Sequence, residues 1–393
     1  MTGKRYFVLT LALCAVAAAP VVALNLVLGD RSLGDPETTR LASEWQQATR
    51  GVTYSPPIVN NHAFKTLRLN DRLPEINAVV FGASSAFGIT EAMFPPGIRP
   101  YNFSQSGNPL AAYLGEAQYL RSHHRGRIKW LVIPFDWSIG FLFEKGAPVA
   151  VDLAPQTAVA AGATPSPPFH LKLLDAVSYP KIEILGSIVR DAWRAPDKWR
   201  SIRSAFFEKA SDEYLCPDGS RAKDFDVLYR GKCSGFYYDG SNTFAAWKRI
   251  RSEEVASRVL IAAGPSSKYA QSLAATGGEP NGAFLDAAAH LDRELKRAGG
   301  GVIVLLPPLI PGLEDALARA RHSGASLARV KRTLKEWSAR EGVALLDAGR
   351  SERFGCQPLE FLDEHHALKE CYEKVFAGFW RDRAGVSGPP AAR

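Results

Sequence analysis

Two adjacent serines and a distant Asp–His pair are the residues of this chain whose types and spacing suit chemistry. Ser84 and Ser85 sit in "VVFGASSAFG", Val79 to Gly88, where an apolar strand runs into a sharp Gly-Ala-Ser-Ser bend. A serine hydroxyl is a weak nucleophile until a base takes its proton and a third group orients that base. Asp363 and His366, in "EFLDEHHALKECYEKVF", stand at spacing i, i+3. On one short turn the carboxylate can steer the imidazole and stabilise its charged form. Brought together, serine, histidine and aspartate would support acyl transfer through a covalent ester. Each half also has a bland reading. Ser84 fits a turn or a helix N-cap, and Asp363 with His366 fits the capped start of a last helix.

Five apolar segments would position these groups: Ile76–Ala83, Ile98–Gly107, Ile128–Asp136, Gly301–Ile310 and Gly342–Gly349. Helical patterns separate them, over "NPLAAYLGEAQYLRSHHR" and over Asp315–Glu341. Near-continuous apolar strands alternating with helices predict an α/β fold with a parallel sheet covered on both faces. In such sheets ligands bind beyond the carboxyl ends of the strands. The serines follow the first strand and the Asp–His pair follows the last, so both should reach that edge.

The remaining segments frame this domain. Residues 30–71 read as a polar, proline-containing approach segment. Residues 137–280 read as an insertion, which opens on the loop-like "APQTAVAAGATPSPPFH". It continues through the basic, tryptophan-containing "IVRDAWRAPDKWRSIRSAFFEKA", a candidate for a membrane surface or an acidic polymer but also an ordinary amphipathic helix. Hydrophobic residues make up 46% of the 393, enough for a large core. The formal net charge of +8 would attract anionic partners, although a mildly basic solvated surface is the ordinary reading. No Lys/Arg cluster carries the pattern of a DNA reader, so nucleic acid is not expected as a partner.

The amino-terminal region points to export. Lys4 and Arg5 precede an uncharged stretch from Tyr6 to Gly29. That length suits a membrane anchor, with the positive flank held in the cytoplasm. The expected location is a single pass through the inner membrane, with the main domain on the periplasmic side. A cleaved signal peptide is the rival reading; Pro20, just after the small residues Ala15–Ala19, disfavours the most obvious cut. Cys216, Cys233, Cys356 and Cys371 allow three pairings. The sequence-local one, Cys216–Cys233 and Cys356–Cys371, is the simplest, and it makes "CPDGSRAKDFDVLYRGKC" a stapled hairpin or loop. Nothing in the cysteine and histidine spacing resembles a zinc site.

"FGASSAFG", "YNFSQSGNP" and "FLDEHH" together resemble the SGNH (GDSL-like) hydrolase superfamily. Its membrane-anchored envelope branch, including alginate O-acetyltransferase and teichoic-acid D-alanylation proteins, is the most similar. The resemblance covers about Ile76–Asp136 and Gly301–Trp380. It implies a three-layer sandwich around a roughly five-stranded parallel sheet; the insertion, read as mainly helical, matches nothing in the family. It also implies Ser84 as nucleophile, His366 as base and Asp363 as its partner, while His365 falls outside the family spacing. The backbone of Ser84 and Gly107 would face an oxyanion, one such donor being worth about 3 kcal/mol. A departure stands at "IPFDWS", where the family's hydrolases carry a G-x-N-D block. Asp136 would repel an oxyanion, which leaves Asn108 as the candidate substitute. The implied function is O-acyl transfer to an envelope or exported polysaccharide, with a membrane-bound acyltransferase supplying the acyl group and no metal or organic cofactor. The alternatives are an esterase or deacetylase of the same substrates, or a catalytically silent scaffold that binds polymer or a partner.

Overall fold

The computed structural model describes residues 3–31, 36–54, 61–106, 108, 115–117, 120, 126–135, 169–177, 186, 190, 193, 211–225, 231–245 and 247–387. Its strands are β1 (Val52–Tyr54), β2 (Ala78–Val80), β3 (Pro100–Asn102), β4 (Trp130–Pro134), β5 (Tyr214–Leu215), β6 (Arg221–Asp224), β7 (Gly301–Leu306) and β8 (Ala344–Asp347). The chain divides into two compact units. One comprises Met1–Leu67 and Pro155–Gly235, the other Arg68–Ala154 and Phe236–Arg393.

The second unit is built on a five-stranded, all-parallel sheet in the order β3-β2-β4-β7-β8. All five expected apolar segments supply a strand. All six residues of β7 are buried, so both of its faces are covered, as a parallel strand requires. The helix Gly282–Arg297 packs on it through a stripe that includes Phe284, Leu285, Ala288, Leu291 and Leu295. The last helix, Lys369–Ser387, buries Cys371, Tyr372, Val375, Phe376 and Phe379 at helical spacing.

From β2 the chain turns to β3 on one side of the sheet, then crosses to β4 on the other side of β2. The connections leaving β2 and β4 therefore diverge at the carboxyl edge, which is where open α/β sheets place their ligands.

Three expectations need correction. Residues 313–341 form two helices, Leu313–Arg319 and Gly324–Glu341, rather than one. Ser323 Oγ donates to the Leu317 carbonyl at 2.8 Å, and a Cβ at Gly324 would meet the Ala318 carbonyl oxygen at 2.2 Å, so the chain packs tightly at the break. The approach segment is structured, with helices Pro36–Thr49 and His62–Arg72 on either side of β1. Residues from Phe236 onward, assigned by sequence to the insertion, belong to the sheet unit. Asn102 N donates to Asp239 O at 2.7 Å, and Asn242 N donates to Phe87 O at 2.9 Å. Phe87 packs edge-on against Phe236 with ring centroids 5.4 Å apart. The Pro/Ala-rich stretch lies outside the described residues except at its last two positions, and the basic tryptophan segment does so apart from Arg190 and Trp193.

In the first unit β6 pairs parallel to β1 and antiparallel to β5. Cys216 and Cys233 form a disulfide across this hairpin, and Cys356 and Cys371 form a second one in the sheet unit. The amino-terminal helix Gly3–Arg31 contains a 20-residue apolar stretch, Arg5–Leu24, long and apolar enough to cross a membrane.

Gly88 lies where the chain leaving the serine turn packs against the end of the Asp–His turn. A Cβ there would stand 2.7 Å from the Ala367 carbonyl oxygen and 3.0 Å from the Tyr372 ring. Gly88→Ala should cost about 2 kcal/mol of stability through this overlap. Denaturant unfolding of the variant against wild type measures the loss.

Candidate active site

The serine turn is fixed by its backbone before any long-range partner acts. Gly82 has φ +140°, and a Cβ at that position would also meet the Ala86 Cβ at 2.7 Å. Glycine is the residue that accepts both conditions. Ser84 then opens a single 3₁₀ turn, Ser84–Ala86. The first amides of a helical turn have no partner within it, and the Ser84 N–H has no acceptor among the described residues.

Asn102, at the end of β3, anchors the turn from below. Its Nδ2 donates to the carbonyls of Ala86 and Ile89, each at 2.8 Å. Its Oδ1 accepts from Ser104 N at 3.0 Å and from the Ser104 hydroxyl. Tyr372 donates from its hydroxyl to the Ser85 carbonyl at 2.7 Å. These contacts separate the two serines. Ser85 is buried and its hydroxyl has no partner among the described residues. Ser84 is half-buried, and its Oγ lies 2.7 Å from His366 Nε2.

The Asp–His turn is a closed loop of its own. Phe361 and Ala367 form an antiparallel bridge, and Leu362 N donates to His366 O at 3.0 Å. Asp363 Oδ1 accepts the backbone N–H groups of His365 and His366, both at 2.9 Å. Asp363 Oδ2 accepts from His366 Nδ1 at 2.6 Å. With its Nδ1 proton held there, His366 presents Nε2 as the acceptor for the Ser84 hydroxyl. Ile310 N donates to Glu364 O at 2.9 Å, which pins the turn to the segment leaving β7. Burial raises the Asp363 carboxyl, but the hydrogen bonds and charges of His365 and His366 outweigh it. They hold the group well below the ordinary carboxylate range. Asp363 is therefore an anion at neutral pH, ready to stabilise a charged imidazole.

No family model, curated protein or solved structure matches the chain. What the site can do is therefore read from its geometry.

Of the residues singled out from sequence, Ser84, Asp363 and His366 meet in one hydrogen-bonded line. Gly107 and Asp136 lie outside the described residues. Asn108 is 1% exposed, and its Nδ2 donates to both carboxyl oxygens of Glu116 at 3.3 Å. A carboxyl group buried to 1% exposure needs such donors. The cysteine pairs fall as the local reading expected. Asp363, His365 and His366 also bring ligand-type atoms within 4.8 Å of one another, as a cation would require. Nδ1, Nε2 and Oδ2 are already committed to the line just described, an arrangement suited to moving a proton. In the second such group, Cys356, Glu360 and Cys371, the sulfurs are joined as a disulfide.

Sequence reasoning missed Asn102 and Tyr372. For Asn102 a signal existed, because a polar residue in a buried strand must find hydrogen-bond partners. Tyr372 gave none beyond its place on an apolar helix face.

Two outcomes follow from these contacts. Burial pushes the Glu116 carboxyl up to about 8 against the lowering effect of Asn108 and Gln105. A group raised in the folded state stabilises fully below its unfolded value near 4.5 and loses that contribution as pH climbs towards 8. Glu116→Gln escapes this loss, so its thermal midpoint relative to wild type should be higher at pH 8 than at pH 5. Separately, the Cys356–Cys371 disulfide closes a loop containing both Asp363 and His366. Replacing both cysteines with serine should remove about 3 kcal/mol of stability, measured by denaturant unfolding under oxidising conditions.

Proposed function

We propose that this chain is an exported, membrane-anchored enzyme of SGNH type that transfers acyl groups by a Ser-His-Asp mechanism. The observation that carries the reading is the unbroken line Ser84 Oγ–His366 Nε2 at 2.7 Å and His366 Nδ1–Asp363 Oδ2 at 2.6 Å. Its support is physical. The line sits at the carboxyl edge of a parallel sheet, beside the strand where the chain reverses direction across the sheet.

In this mechanism the Ser84 oxygen attacks the carbonyl carbon of an acyl ester. Its proton passes to His366 Nε2, and Asp363 stabilises the resulting imidazolium. The Ser84 N–H is positioned at the start of its turn to donate to the developing oxyanion. Collapse expels the donor alcohol, which takes the proton back from His366 and leaves an acyl-Ser84 ester. A second hydroxyl then gives its proton to His366, attacks the ester carbonyl and releases Ser84. With a sugar hydroxyl the result is O-acylation; with water it is hydrolysis.

Three features favour transfer to an envelope or exported polysaccharide. The residues resembling the SGNH superfamily are most similar to its anchored, transferase-associated branch. The hydrolases' Asn block is replaced by "IPFDWS". The apolar amino-terminal helix suits an enzyme working beside a membrane-bound acyltransferase that supplies acyl groups. On this reading the disulfides belong to an oxidising, periplasmic compartment.

The test uses the full chain in detergent with a chromogenic acetyl ester, with and without an oligosaccharide acceptor. Wild type should release chromophore, and Ser84→Ala should lower the rate by about three orders of magnitude or more. Acetylated acceptor identifies transfer, and free acetate alone identifies an esterase. Equal rates from wild type and Ser84→Ala would reject the triad.

A further inference from the structure

We propose that His365, the histidine outside the triad, is a positioning residue for Asp363, tying it to Lys268 and Tyr269 on the helix Lys268–Thr276. The proposal rests on the reading of Ser84, His366 and Asp363 as a catalytic line, and it extends that line by one hydrogen-bonded step.

The two nitrogens of His365 face partners of opposite demand. Nδ1 is 3.1 Å from Asp363 Oδ1 and 2.9 Å from the Tyr269 hydroxyl. Nε2 is 3.5 Å from Lys268 Nζ. An ammonium can only donate, so Nε2 is the acceptor on that side. A carboxylate can only accept, so a bare Nδ1 would set two lone pairs against each other at 3.1 Å. The tautomer with its proton on Nδ1 satisfies both ends, and Tyr269 shares that proton. Asp363 Oδ1 thereby gains a third donor beside the backbone amides of His365 and His366. Oδ2 is left to His366 alone.

The ring has a second task. Its centroid lies 4.1 Å from that of His366, at an interplanar angle of 42°. It forms a wall against which the base is seated, and its side chain is only 7% exposed. Tyr269 is buried and closes over His365 with ring centroids 6.0 Å apart. The supporting helix is itself secured, because Ser267 caps it by accepting from Ala270 N at 3.1 Å. The titratable and charged groups around His365 are thus Asp363 and His366 on its own turn and Lys268 and Tyr269 on the helix. The neighbouring Glu364 is occupied by Arg258 at 3.2 Å.

A residue that merely filled space would be replaceable by any ring of similar size. His365→Phe keeps a ring but removes the Nδ1 donor, whereas His365→Asn restores a donor near the Nδ1 position. The first readout needs no turnover: the low-field proton NMR signal of the His366 Nδ1–H to Asp363 bond, in the full chain in detergent. His365→Phe should shift this signal and speed its exchange with water about tenfold, and His365→Asn should restore it substantially. The second readout is hydrolysis of the chromogenic ester. His365→Phe should lower kcat about tenfold or more with KM unchanged, as expected for loss of one hydrogen bond to a charged group. A signal in His365→Phe with the position and exchange rate of wild type overturns the proposal, whatever the turnover, as does absence of the signal from wild type. Ser84→Ala separates the two ideas. Turnover that survives it rejects the triad, while the NMR comparison still decides the role of His365.

Discussion

A hydrogen bond of 2.7 Å between Ser84 and His366 joins residues 282 positions apart, and the rest of the structure is arranged to make it hold. The contact needs both segments at once, since His366 is oriented by Asp363 in its own turn while Ser84 lies on another. A serine hydroxyl and an imidazole rotate freely on a flexible chain, and ordering them has an entropic cost that local contacts seldom cover. The parallel sheet supplies the solution. It brings the strand ends to one edge, where Ser84 follows β2 by four residues and the Asp–His turn, 16 residues beyond β8, is pinned to the segment leaving β7.

Rigidity at that edge comes from groups outside the hydrogen-bonded line. Asn102 and Tyr372 take up the backbone carbonyls of the serine turn. Gly88 permits the two turns to touch. The Cys356–Cys371 disulfide fastens the base of the Asp–His turn to the last helix. Asn102 and Tyr372 act on backbone, so they hold the serine turn without engaging the side chain of Ser84.

The electrostatics of the edge are uneven by design of the fold. Asp363 lies among donors and stays ionised, whereas Glu116 lies among amides with burial dominant and is driven to its neutral form. Two carboxyl groups in one unit thus serve different ends, an anion beside a base and an uncharged acid within the core. The difference lies in what each faces, because desolvation acts on both and only Asp363 has histidines to offset it.

Much of this was legible in the amino-acid sequence. The five strands declared themselves as continuous apolar runs, because a strand buried on both faces has no polar side to alternate with. The spacing of Asp363 and His366 was equally plain, since an i, i+3 contact is local and needs only one turn. Local cysteine spacing gave the two disulfides for the same reason. Tertiary structure decided everything that depends on side chains approaching from separate segments. It distinguished half-buried Ser84 from buried Ser85, set Asn108 against Glu116, and drew residues 236–280 from an expected insertion into the sheet unit. It also seated His365 between Asp363, Lys268 and Tyr269. Local sequence specifies which contacts neighbours along the chain can make. Which of several polar groups faces a partner some 100 to 300 residues away is set by how layers pack, and packing is a property of the whole core.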